Sequence, residues 1–322
     1  MYTRFISKFY LLPCLFIFLS VFSFAQNYQS EVNLKLDNDF YIAFKQDRYY
    51  THGTFVEYKH ALNLDTNRSS YTKKILALEL GQKIYNPYWS NAPDVNLHDR
   101  PFAGYAYIGG GIRWIKKNET QIRGNIQVGI IGPGSFAEEV QTGFHKLLNA
   151  YYPVSGWDYQ VKNELILNFE LEYLRKAYKS TNSPFDIHYI GNVQLGNFNT
   201  ALQAGAVFRF GKFNPLESSS LFNTRISKNG IRTKPEIFFY YQPQLQATIF
   251  DASIQGGLLR SDKGPVTFKP KTLVFQQVLG LNAAYQRLGF KYLVTFKTKE
   301  VNSNAHSYYY GSFILSYLFG KS

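Results

Sequence analysis

Apolar and polar residues alternate with a period of two from Glu31 to Phe319, and clusters of Gly, Pro, Asn, Asp and Ser interrupt the alternation at short intervals. Side chains on a strand point to opposite faces in turn, so the pattern predicts strands with one apolar and one polar face. Between Gln121 and Ile130, the residues Ile122, Gly124, Ile126, Val128 and Ile130 share one face, while Gln121, Arg123, Asn125 and Gln127 share the other. Leu165, Leu167, Phe169, Leu171 and Tyr173 oppose Glu164, Asn168, Glu170 and Glu172 in the same manner. Strands are predicted at 30–44, 50–61, 72–85, 103–116, 121–132, 160–178, 185–197, 200–211, 233–251, 271–285, 287–299 and 306–319, twelve in all. The run through Tyr240-Tyr241-Gln242-Pro243 is read as one long strand with a bulge at Pro243, since single-chain bacterial barrels carry even strand numbers.

A soluble sandwich shows the same alternation, because it buries its apolar face against a second sheet. The two ends of the chain point instead to an all-β fold of another kind, a transmembrane antiparallel β-barrel. Arg4 and Lys8 precede an apolar run from about Phe9 to Phe24, and Ser23-Phe24-Ala25 stands before Gln26. These are the three regions of a secretory signal cleaved after Ala25. The apolar run is too short for a permanent span of roughly 20 residues. Residues 1–25 are therefore expected to be a removed signal peptide, and 26–322 a single barrel domain in the outer membrane of a Gram-negative bacterium. Cys14 is the one cysteine and leaves with the signal, so disulfides, thiolate metal sites and a Cys nucleophile are excluded. At the other end Phe313, Leu315, Tyr317 and Phe319 alternate with Ser312, Ile314, Ser316 and Leu318, an aromatic closing strand. About twelve strands enclose a lumen that is narrower than in porins of roughly 16–18 strands and that side chains can fill.

Composition sharpens the picture. Phe, Tyr and Trp make up 18% of the chain, with 26 Tyr, which suits the aromatic girdles that a barrel places at both membrane interfaces. The formal net charge is +13, and the loss of Arg4 and Lys8 leaves +11. For an exported protein such a balance suits phosphorylated lipid headgroups, and no nucleic-acid partner is expected. With the N-terminus in the periplasm, strand parity puts the loops around Asp47, from Pro87 to Arg100 and from Gly132 to Trp157 outside the cell. The segment Asn214 to Arg232 falls on the periplasmic side and is longer than the turns expected there.

Candidate chemistry gathers in the extracellular loops. Gly132-Pro133-Gly134 ends a strand, and from Phe136 to Tyr152 the spacing becomes helical. At about 100° per residue Phe136, Val140, Phe144, Leu147 and Tyr151 form one side, and Glu138, Gln141, His145, Leu148 and Tyr152 another. This short amphipathic helix is either a loop support with a surface His, or an interfacial element that holds His145 over a lipid beside the barrel wall. In the first strand Val32, Leu34 and Leu36 face lipid, so alternation puts Asn38 on the lipid side and Asp39 on the lumen side unless a bulge turns both to one place. Asp37-Asn38-Asp39 reads equally well as the polar end of a strand. His60, His98, His188 and His306 read as structural, and His52 is ambiguous because it adjoins Thr51. Asp47, Arg48, Asp99 and Arg100 read as rim ion pairs, with Arg48, Arg100 and Lys146 also placed to meet lipid phosphates.

Several motifs in order, Leu36-Asp37-Asn38-Asp39, Asp47-Arg48-Tyr49-Tyr50-Thr51-His52-Gly53, Ile84-Tyr85-Asn86-Pro87, Asp99-Arg100-Pro101-Phe102-Ala103-Gly104, Ile131-Gly132-Pro133, Glu139-Val140-Gln141 with His145, and Gly156-Trp157-Asp158, resemble the lipid A 3'-O-deacylase (LpxR-like) family. The resemblance spans the first half of the mature chain and is only general from about Ile166 onward. It implies a twelve-stranded barrel with its active site between the outer wall and a loop helix near the outer leaflet. It further implies that Asn38 and Asp39 match the family's Asn-Asp pair, Thr51 its Thr on the second strand, His145 its general base, and Tyr152 its Tyr before Pro153. The family's Lys beyond the Tyr-x-Pro segment has no counterpart from Tyr88 to Asn96, a role that Arg100 is a candidate to fill, and Tyr151 stands where some members carry an acidic residue.

The implied reaction is hydrolysis of the ester of a 3'-linked acyloxyacyl chain of lipid A, with lipopolysaccharide in the outer leaflet as substrate and Ca²⁺ as cofactor. In it His145 activates water, calcium polarises the carbonyl with Asp39 among its ligands, and Asn38 and Thr51 orient the carbonyl or the metal site. Gln141, Arg48 and Arg100 are candidates for substrate contact. Three other readings stand beside it: an outer-membrane phospholipase, a passive pore, and a family member without activity. The chain is read as a monomer.

Overall fold

Alternating segments become strands wherever one face can be given to lipid and the other to a polar interior, and here all twelve close on themselves. A computed structural model describes residues 28–42, 47–65, 69–148, 153–181, 184–228 and 233–321. The expected signal peptide lies outside these residues. The strands are β1 (Tyr28–Asn38), β2 (Tyr49–Ala61), β3 (Tyr71–Asn86), β4 (Ala103–Lys116), β5 (Thr120–Ile131) and β6 (Glu164–Lys179), followed by β7 (Phe185–Gly196), β8 (Asn199–Lys212), β9 (Glu236–Asp251), β10 (Leu273–Tyr285), β11 (Leu288–Lys297) and β12 (Tyr308–Lys321). Each pairs antiparallel with its sequence neighbours, and β1 pairs with β12 from Tyr28↔Lys321 to Asn38↔Gly311, closing a twelve-stranded barrel. Closure leaves no strand edge unpaired, the condition for sheet in a membrane. The outward face carries exposed Val56, Leu78, Leu80, Ile108, Val128, Leu165, Phe169, Leu202, Phe239 and Leu279, an apolar surface that a bilayer covers.

Two expected features are corrected. The ladder of β9 shows no register shift at Pro243, which pairs with Gln277 across a continuous β10 register. On the β8 side, pairing lapses between Gly205↔Gln244 and Phe208↔Tyr241, because proline has no N–H to give, and the irregularity falls at Thr200/Ala201. β1 stops at Asn38 instead of running to residue 44, since Asp39–Tyr41 turn into a short 3₁₀ segment whose Phe40 N–H is capped by the Asn38 side chain at 2.8 Å.

The lumen is filled. The long segment between β8 and β9 folds up into the end of the barrel at which β1 starts, where Leu216, Phe222 and Ile226 pack against Ile75, Ile115, Leu174, Val207 and Phe238 from the barrel wall. Its polar backbone is satisfied from the wall. Lys73 Nζ donates to the Thr224 carbonyl at 2.7 Å, and the Glu236 carboxylate accepts from Asn214 N, Ser219 Oγ, Ser220 N and Ser220 Oγ at 2.6–2.9 Å. On the inner face opposite charges pair between neighbouring strands, Arg123 of β5 with Glu170 of β6 at 2.8 Å and Lys59 of β2 with Glu31 of β1 at 3.1 Å. A polar cavity of about 340 Å³ remains between the plug and the loops at the opposite end.

Candidate active site at the outer rim

The helix predicted after β5 forms as α1 (Ala137–Leu148) and lies against the outer wall at the Asn86 end of β3 and the Ala103 end of β4. A glycine makes this approach possible, because a Cβ on Gly104 of β4 would stand 2.0 Å from Ser135 Oγ and 2.2 Å from Ala137 Cβ. Gln82, on the outer face of β3, donates to the Ser135 carbonyl at 2.7 Å and fixes the start of the helix. Phe136, Val140 and Leu147 are exposed toward the membrane side, whereas Gln141 and His145 turn to the barrel rim and are buried. In water such apolar exposure forgoes about 1.5–3 kcal/mol per side chain, which an interfacial position recovers.

Local backbone irregularities aim the facing residues into the gap beneath α1. By parity Asn38 shares the lipid face with Val32 and pairs in register with His52, to whose Nδ1 its amide lies at 3.3 Å. The 3₁₀ turn brings Asp39 to the same side. On β2, the register between β2 and β3 shifts between Tyr50 and His52, so Thr51 is an extra residue and both Thr51 and His52 reach the outer crevice, while Tyr50 reaches inward to Asp37 at 2.7 Å. Bulges often re-aim side chains in this way next to functional sites. Tyr49, two residues earlier, sits in the left-handed region at φ 63°, a strained conformation for a residue with a Cβ.

Asn38, Asp39, Thr51, Gln141 and His145 thus line one crevice together with Asp47, His52, Val140 and Phe144. Asp47 is its hub. His145 Nε2 lies 3.1 Å from Asp47 Oδ2, Gln141 Nε2 donates to Asp47 Oδ1 at 3.2 Å, and the Thr51 hydroxyl donates to Asp47 Oδ1 in a short contact. Thr51 Oγ1 is also 3.4 Å from Asp39 Oδ1, and the Arg48 N–H donates to Asp39 Oδ2 at 2.8 Å. Behind this set Asn86 donates to the Asp47 carbonyl at 2.8 Å, and buried Trp157 donates from Nε1 to Gln141 Oε1 at 2.9 Å, locking the amide orientation. The His52 ring faces Phe144 at 5.8 Å.

Burial and the nearby charge of Asp47 push the Asp39 carboxyl well above the usual carboxylate range. Two carboxylates converge on one hydroxyl, and among the described residues neither has a Lys or Arg side chain paired to it. That donor set, hard oxygens with uncompensated negative charge, fits a calcium ion in kind. It supplies fewer than the roughly 6–8 oxygens calcium takes, so backbone carbonyls and water would complete it. Among the described residues no three His, Cys, Asp or Glu side chains cluster for a metal.

The remaining sequence candidates are placed as follows. Arg100 is not at the crevice: its guanidinium donates to Ser253 Oγ at 2.8 Å and pairs with Glu300 at 3.3 Å, 1% exposed. It lines the inner cavity and not the crevice. Arg48 lies nearer, its guanidinium 4.8 Å from the Tyr88 ring. Tyr152 lies outside the described residues. His98 is a loop staple, with Nε2 at 2.8 Å from the Ala92 carbonyl. Asp47 was read from sequence as a rim ion pair, and its role as hub was visible only as its place in a motif four residues before Thr51.

Comparison with known proteins gives the family and the fold. The family model described as outer membrane protein LpxR matches residues 11–319. Among solved structures, LpxR from Salmonella typhimurium superposes with a TM-score of 0.70 at 18% identity, covering 90% of this chain and 100% of that one. The β domain of the Bordetella autotransporter BrkA gives 0.48 at 9% identity, covering 92% and 100%. No curated protein sequence matches the chain.

Proposed function

The chain belongs to the outer membrane protein LpxR family, and from that premise we propose that it hydrolyses the ester of a 3'-linked acyloxyacyl chain of lipid A in the outer leaflet. The observation that carries this reading is the convergence of Asn38, Asp39, Thr51, Gln141 and His145 on one crevice between the membrane-facing wall and α1. A lipid ester reaches such a place laterally from the bilayer without passing through the lumen. The plugged lumen speaks against a pore.

His145 acts as general base and takes a proton from the water that attacks the ester carbonyl. Asp47 holds the imidazole through Nε2 and favours the imidazolium that forms. Asp39, Asp47 and Thr51 would hold Ca²⁺, which when bound supplies positive charge that polarises an ester carbonyl. Asn38 presents its side-chain amide toward developing negative charge at the carbonyl oxygen, while Gln141, fixed by Trp157, donates to Asp47 and holds that carboxylate in place. Burial of these groups strengthens each such interaction relative to water.

The test is release of fatty acid from purified lipid A by the detergent-solubilised barrel, with calcium supplied or chelated. Product that depends on both calcium and His145 supports the assignment. Release from phospholipid but not from lipid A would redirect it to a phospholipase.

A further inference from the structure

A second groove, of about 500 Å³, opens on the extracellular cap and is not used by the reaction above. Tyr88, Trp89 and Asn96 line it from the β3–β4 loop, Phe268 from the β9–β10 segment, and Asn304 and His306 from the β11–β12 loop. Loops from strands so widely spaced around the barrel can meet only over its mouth, so the groove faces outward from the cell and not sideways into lipid.

Its chemistry is aromatic with neutral polar edges. Trp89 is 60% exposed and meets Tyr88 edge to face at 5.0 Å, and Tyr88 in turn meets the His306 ring at 5.8 Å. Asn304 and His306 are exposed beside them, as is Asn96. The Asp99 carboxylate in the wall is already committed, Oδ2 to the Tyr49 hydroxyl at 2.8 Å and Oδ1 to Tyr88 N at 2.9 Å, so the groove offers little free charge. Aromatic faces that receive C–H groups, flanked by amides that donate and accept together, match a pyranose ring, whose faces are C–H and whose rim is hydroxyl. An exposed Trp in a concave site is also the residue type that most often anchors a ligand.

The start of one loop links the walls of the groove and the crevice. Asn86, bonded to the Asp47 carbonyl, is two residues before Tyr88, and the Arg48 side chain lies on the Tyr88 ring. We propose that the cap groove is an oligosaccharide-binding subsite, which takes neutral sugar units of the glycolipid whose acyl chain enters the crevice. This deepens the lipid A reading and rests on it for the identity of the glycolipid.

The test uses the full barrel in detergent and, as probe, the acyl-free oligosaccharide released from lipopolysaccharide by mild acid. Calorimetric titration should show saturable binding, weakened about tenfold or more in Trp89→Ala and severalfold in Asn304→Ala. With sugar-bearing lipopolysaccharide, Trp89→Ala should raise KM about tenfold with kcat unchanged, and with bare lipid A it should change neither. Absence of saturable binding to the wild type, or binding that Trp89→Ala leaves intact, overturns the subsite. So does strong quenching of Trp89 by brominated acyl lipid, which would place it in the bilayer. Oligosaccharide binding without hydrolysis of any lipid A substrate would leave the subsite standing and remove the deacylase reading.

Discussion

The outer crevice and the lumen hold the same kinds of side chain, buried acids, bases and amides, in opposite arrangements. In the lumen acids meet bases or neutral donors: Arg123 pairs with Glu170, Lys59 with Glu31 and Lys297 with Glu300 at 2.8 Å, and Glu236 accepts from Ser219 and Ser220. Charges paired in this way can stay buried, and they fill space without creating a demand for a ligand. In the crevice Asp39 and Asp47 meet each other across Thr51, with an imidazole and an amide as the neighbours. Unbalanced negative charge beside a His is poor for stability and suited to a cation and to proton transfer. The difference locates chemistry on the outside of the barrel and architecture on the inside.

The largest expected effect follows from removing the base. His145→Ala should lower the rate of ester hydrolysis by about 10²–10⁴ while the barrel stays folded, measured as fatty acid released per minute against the heat-modifiable mobility of the protein on gels. Asp47→Asn keeps shape and hydrogen-bonding reach but removes the charge that orients and supports the imidazole. About a 10–100-fold loss is expected, with much of the catalytic power left to the other groups. A rate equal to wild type would demote Asp47 to a loop anchor.

Three lumen substitutions sharpen the contrast. Glu236→Ala strands the four donors that now converge on its carboxylate, each costing about 1–3 kcal/mol when left buried and unpaired. The plug should loosen, detected as a lower unfolding temperature and as ion conductance in planar bilayers that the wild type lacks. Glu300, which lines the inner cavity, should govern acid stability. Burial alone would raise its pKa, but Lys297 and Arg100 outweigh burial and hold the carboxyl at about 2. A depressed folded value contributes stability above the ordinary Glu range, near 4.5, and that stability is lost as the pH falls toward 2. Unfolding temperature should therefore drop between about pH 5 and 2 in the wild type, and Glu300→Gln should be less stable at neutral pH and flatter across that window. The smallest effect is expected at Glu170→Gln, which breaks a lumen pair: ester hydrolysis should remain within about twofold of wild type, because the crevice lies across the wall.

How far the sequence foretold these regions depends on how local the determinants are. Strand number and position were legible because alternation is a property of neighbouring residues, and the predicted strands differ from the observed ones mainly at ends, as at Asn38 and Glu164. The helix was legible from spacing for the same reason, whereas spacing left open whether His145 lay on the surface or turned to the wall. Pro243 was misread because loss of one N–H interrupts a ladder without shifting it. The plug showed itself only as an overlong loop, since its partners, such as Lys73 and Glu236, come from distant strands. Asp47 and Arg100 looked alike as rim charges. Tertiary contacts separate them, sending Arg100 to the inner cavity beside Ser253 and Glu300 and setting Asp47 between His145 and Thr51.

The most direct measurement of the central claim is mass spectrometry of lipid A from cells that make the wild-type barrel, His145→Ala or Glu170→Gln, each folded in the outer membrane. The account predicts loss of an acyloxyacyl mass with the wild type and with Glu170→Gln, and intact lipid A with His145→Ala. Equal loss in all three, or loss that depends on Glu170 and not on His145, would contradict it.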